Sequence, residues 1–134
     1  MGAYIPDPIA VVALKTTLYG AYAWLVTTQA QTPRNPIVFA LLRVGTGWVV
    51  GAAALLVLAP IAALLGGGAG VVLAGMTLPR AALWWLLIEH YFRPRGGKRT
   101  LLWWTLGGVA LSTATDLLIF YWFPTVPALR HGWC

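Results

Sequence analysis

Polar positions in this chain are gathered into a few short breaks between long apolar runs. The runs are Ile9 to Thr28, Ile37 to Leu65, Val71 to Phe92 and Thr100 to Phe123. Each reaches the roughly 20 residues that a helix needs to cross a hydrocarbon core. The pattern predicts an all-α integral membrane protein: a four-helix transmembrane bundle with short loops, forming a single domain over residues 1–134, with spans near 9–28, 37–65, 71–92 and 100–123. The breaks carry their own signals. Pro33 and Pro36 prevent a helix from running through the first, GGGAG (Gly66 to Gly70) reads as a tight uncharged turn, and Pro124 and Pro127 stop the last run. The second run, at about 43 Å of helix, exceeds a core of about 30 Å. It is expected to tilt, to kink near Pro60, or to begin in the headgroup layer with Arg43 snorkelling to the interface.

Composition sharpens this picture. Of the 134 residues 60% are hydrophobic and only 9% charged, against roughly 25% charged in soluble domains. The net charge of +6 does not point to nucleic acid, because the cations flank apolar spans and do not line one soluble face. They set orientation and meet anionic headgroups. The first cation, Lys15, lies inside the first run, so that run is expected as a retained span and not a cleaved signal peptide. The myristoylation and prenylation patterns also fail, at Pro6 and at the terminal Cys134.

Orientation follows from charge. The topology signal is the loop holding Arg93, Arg95, Lys98 and Arg99 without an acid; Arg34 and Arg43 add to the same side. The opposite side carries Asp7, the glycine turn and Arg130. Both basic breaks are therefore expected on the cytoplasmic side and both termini on the other, in what is expected to be a bacterial inner (cytoplasmic) membrane. Trp103 and Trp104 at one edge, and Tyr121 and Trp122 at the other, read as headgroup-level anchors.

Charges inside spans are costly and need a partner or a purpose. Lys15, Arg80 and Asp116 are such charges. At helical rise they lie about 9, 14 and 11 Å from the ends of their spans on the expected outer side. An Arg80–Asp116 ion pair holding the bundle, with Lys15 snorkelling, is one reading. A cationic pocket for an anionic lipid headgroup, with Asp116 orienting Lys15 and Arg80, is the other. Gly108 and Ser112 share the face of Asp116, a small-residue stripe suited to close helix packing, and Gly47 with Gly51 forms a GxxxG of the same kind. Glu89 is placed to pair with Arg43, or with Arg93 four residues on. His90 is a candidate single ligand for a pigment or haem; the other histidine, His131, falls at the opposite end.

No Ser-His-Asp set, HExxH, Walker loop or GxSxG is present, so no enzyme is expected. One cysteine leaves no internal disulfide or CxxC metal site, and no cofactor is required beyond a possible bound lipid or pigment. RVGTGWVVGAAALLVL, the IEHYFR ending, the basic loop and TLGGVALSTATDLL together resemble the GtrA-type small membrane proteins. That resemblance implies four helices and a link to polyprenyl-phosphate sugars. It departs from the family pattern in that Arg43 would open the first span, whereas here a span precedes it.

Two functions compete. The first is a small non-catalytic subunit of a larger membrane complex (respiratory, photosynthetic or transport), held by helix packing and by tryptophans such as Trp84 and Trp85 facing lipid, a partner helix or a pigment. The alternative is a flippase- or carrier-like protein, working as an oligomer, that binds a polyprenyl-phosphate-type anionic lipid through Lys15, Arg80 and Asp116. Partners are membrane lipids and other transmembrane subunits or further copies of the chain, not nucleic acid. The lone thiol supplies a topology test. An impermeant thiol reagent should label Cys134 on intact cells, and neutralising Arg93, Arg95, Lys98 and Arg99 together should mix labelled and protected populations. Labelling only after lysis in the unaltered chain would reverse the orientation.

Overall fold

The computed structural model describes residues 7–32 and 34–122. Arg130, His131, Cys134, Pro33 and the two prolines after the last span lie outside them, as do the side chains of Tyr121 and Trp122. The described residues form four helices: α1 (Pro8–Thr27), α2 (Pro36–Leu65), α3 (Gly68–Tyr91) and α4 (Gly97–Trp122). All four are long and apolar enough to cross a membrane.

Local chemistry explains the boundaries. α1 and α2 start with the same device. Asp7 and Asn35 each accept a hydrogen bond from the backbone two residues on, at 2.9 Å, and a proline follows as the first helical residue. The side-chain oxygen satisfies an orphan N–H, and proline has none to lose at that position. α2 ends at Gly66 in the left-handed region (φ 64°), a C-cap that glycine takes without steric cost. That cap reverses the chain within two residues, so α3 begins inside the GGGAG run and not after it. α4 likewise begins earlier than expected. Gly96 and Gly97, both at positive φ, make the turn, and Lys98 and Arg99 fall in the first helical turn instead of a loop. Pro60 and Pro79 lie inside continuous helices.

Helices adjacent in sequence pack together, and α4 closes the ring against α1. Trp84 of α3, wholly buried, fills the middle of this ring. Its indole meets Tyr19 and Tyr22 edge-on, at centroid distances of 5.3 and 5.5 Å, and lies tilted against Phe39 at 5.9 Å. The reading of Trp84 as a lipid- or pigment-facing residue is thus corrected. Gly108 explains why it turns inward: a Cβ there would fall 2.4 Å from the indole. Gly107 similarly makes room for the Tyr22 hydroxyl, which donates to the Trp104 carbonyl at 2.5 Å.

At the end where α1 meets α2 and α3 meets α4, the two connections are fastened to each other. Ala30 and Pro94 form an isolated antiparallel bridge, Arg95 N–H donates to Gln29 O at 2.8 Å, and Gln31 N–H is shared between the carbonyls of Phe92 and Arg93. Trp104 Nε1 donates to Gln29 Oε1, Tyr91 to the Asn35 carbonyl, and the Arg34 guanidinium lies over the Tyr91 ring.

The outside of the bundle is apolar, with Leu56, Leu64, Leu78 and Trp103 exposed, while Arg43, Thr105, Ser112 and Thr115 are buried. That distribution suits a lipid solvent, where small and polar residues mediate helix contacts. The Trp84–Gly108 contact gives a direct test. Gly108→Ala should destabilise by about 1–3 kcal/mol through overpacking. Trp84→Phe should recover part of that loss in a double-mutant cycle read by thermal unfolding in detergent. Additive single effects would show that the two residues do not share this space.

Candidate functional site

Lys15, Arg80 and Asp116, charges that lie within the apolar helices, meet in one cluster. Asp116 of α4 accepts from two different helices at once, one on each oxygen. Lys15 Nζ of α1 lies 2.7 Å from Oδ1, and Arg80 Nη2 of α3 lies 2.6 Å from Oδ2. Arg80 also donates to Thr113 at 3.0 Å. Lys15 therefore does not snorkel, as the ion-pair reading had it; it shares the carboxylate. These side chains are only partly screened, at 16–19% exposure, so one edge of the cluster is open.

A fourth charge comes from α2. Arg43 was one candidate to snorkel outward and one of two candidate partners for Glu89; the structure instead turns it inward among the helices. Arg43 is 4% exposed. Phe39, Ala40, Arg43 and Val44 share the inward face of α2, and this helical spacing carries the guanidinium into the ring. There it stacks over Trp84 at 4.9 Å and faces Tyr19 at 5.8 Å. Aromatic faces replace part of the lost hydration of a planar cation, by about 2 kcal/mol or more when desolvated. Gly47, one turn on, is the space for this head: a Cβ there would lie 2.6 Å from Nη1. Gly47 thus serves Arg43, whereas Gly51 faces Met76 of α3 across an ordinary contact. The sequence signal that pointed to Arg43 was its i, i+4 relation to Gly47, overlooked because the arginine lies near the start of its span.

Lys15, Tyr19, Arg43, Arg80, Ser112 and Asp116 line a cavity of about 80 Å³ to which all four helices contribute. Its formal charges are three positive and one negative. Neither of the chain's other two acids reaches it. Asp7 caps α1, and Glu89 accepts from Trp85 Nε1 at 3.0 Å instead of from Arg43 or Arg93. Gly108 and Ser112 lie below Asp116 on the buried stripe of α4, where Gly108 seats Trp84.

The remaining candidates lie elsewhere. His90 is exposed at the fastened end, with Nδ1 3.2 Å from the Leu86 carbonyl of its own helix. It borders a shallow groove with Glu89, Arg93 and Lys98. Arg95 and Arg99 are exposed nearby. Among the described residues no three His, Cys, Asp or Glu side chains converge as a metal site. No protein-family model, curated protein or solved structure matches the chain.

The shared carboxylate predicts a graded mutational series. Asp116→Asn leaves two cations without a counter-charge, and removing one partner of a buried pair costs about 3–5 kcal/mol. Arg80→Leu with Asp116→Leu should recover only part of the stability, because Lys15 stays unpaired. Adding Lys15→Met should recover most of the rest in thermal unfolding. Full recovery in the double variant would mean that the Lys15–Asp116 contact contributes nothing.

Proposed function

We propose that this chain binds the phosphate of an anionic membrane lipid in the cavity between its helices, as a small carrier- or flippase-like protein. The observation that carries this reading is the charge imbalance: three cations from three helices converge on a cavity that supplies one carboxylate. A structural staple needs matched charges, and isolated charge in a low-dielectric site is expensive. An excess of cations around a space is the complement of an anion. Asp116 then holds Lys15 and Arg80 in place and keeps them paired when the site is empty. In this reading the basic connections face the cytoplasm and both termini lie outside.

The alternative, a non-catalytic subunit of a larger membrane complex, draws on the far half of α2, where Leu56, Leu64 and Leu65 are strongly exposed. Lipid covers such a surface as well as a partner helix does, and Trp84, one of the tryptophans that argued for a partner or pigment, is spent inside the chain. The two readings separate in one preparation. Purified in mild detergent, the protein should run alone or as a homo-oligomer on native gels. Native mass spectrometry should show it retaining phosphatidylglycerol over phosphatidylcholine. The triple variant Lys15→Met, Arg80→Leu, Asp116→Leu should lose that retention by about tenfold, equivalent to 1.4 kcal/mol. Undiminished retention in a folded triple variant would place lipid binding outside the cavity, and stable co-migration with a large complex would favour the subunit reading.

A further inference from the structure

Building on the anionic-lipid reading, we infer that the cavity selects a doubly charged phosphomonoester over a singly charged phosphodiester, and that Arg43 is the residue that makes the difference. Lys15 and Arg80 share Asp116, so these three groups sum to one positive charge. That set is matched by any monoanionic headgroup. Arg43 adds a second positive charge and has no carboxylate among the described residues. Its contacts with Trp84 and Tyr19 run through ring faces. A guanidinium offers five N–H donors in its own plane, which such stacking does not use. The buried Nε has no acceptor among the described residues. The residue is 4% exposed and lines the cavity, and its Nη1 is seated against Gly47, where a Cβ would lie 2.6 Å away.

The sum is a formal +2 facing a ligand in surroundings where net charge is costly. A dianion cancels it and a monoanion does not. Phosphomonoesters carry about −1.5 to −2 at neutral pH, with a second ionisation near pH 6, and offer three strong acceptor oxygens. Phosphodiesters stay at one negative charge. The cavity, about 80 Å³ and open along one edge, is space for a few water molecules, enough to admit a terminal phosphate. A lipid ending in a phosphomonoester and free inorganic phosphate present the same dianion, so the test must separate the two sources.

The test uses the full chain in mild detergent, with phosphatidic acid and phosphatidylglycerol of identical acyl chains as probes, read by native mass spectrometry. At about pH 7.5 phosphatidic acid should be retained about tenfold better, and the preference should shrink at about pH 5.5 as its second charge is lost. Arg43→Met, which keeps the packing volume, should bring the retention ratio to about one. Gly47→Ala, whose methyl displaces the guanidinium, should reduce the ratio in the same direction and covers the case in which Arg43→Met does not fold. Phosphatidic acid that stays bound against excess inorganic phosphate assigns the site to lipid. Displacement by inorganic phosphate assigns the same dianion site to the soluble ion. Equal retention of the two lipids at about pH 7.5, or a preference that ignores pH, overturns the dianion inference and leaves the anionic-lipid reading standing. Failure to retain either lipid overturns both.

Discussion

The indole of Trp84 reaches every other helix of the bundle: Tyr19 and Tyr22 on α1, Phe39 and Arg43 on α2, and the backbone of α4 at Gly108. In a lipid solvent the hydrophobic effect does not drive helices together, since the tails are as apolar as the side chains. Close packing must do that work. One large flat group, seated where a glycine lets the backbone approach, is an efficient way to tie four helices into a ring. The same indole is the platform on which Arg43 rests, so the packing centre and the charged cavity are physically one arrangement.

This coupling explains how so small a chain keeps several charges away from water. Arg43 is sheltered by ring faces, and Lys15 and Arg80 by the two oxygens of Asp116. The cations are held by different means, one by polarisable π systems and two by a carboxylate. The cluster also joins α1, α3 and α4 away from the bridged connections Gln29–Thr32 and Phe92–Arg95, which hold the opposite end of the bundle. The ring is therefore closed at two levels, with Trp84 between them.

Much of this was legible before any fold was known. Hydropathy summed over about 20 residues is a local property, and it placed all four helices to within a few residues. The common depth of Lys15, Arg80 and Asp116 needed only helical rise and a count from the span ends. The boundary misses at Gly68 and Gly97 come from glycine, whose permissive backbone lets a turn finish early and leaves the next residues free to join a helix.

Legible in the amino-acid order alone were the all-helical class, the number of long apolar helices and the positions at which charge enters them, because each depends on runs of residues along one helix. The tertiary structure decided which way those helices face. Arg43 sits near the start of an apolar span, where snorkelling is the ordinary outcome, and Trp84 sits in a run of aliphatic neighbours that gives no sign of its inward turn. Their meeting depends on the rotation of α2 and α3 against each other and on a glycine of α4 far along the chain. Side-chain partnership across helices is set by three-dimensional packing, and no sum over neighbours in the chain contains it.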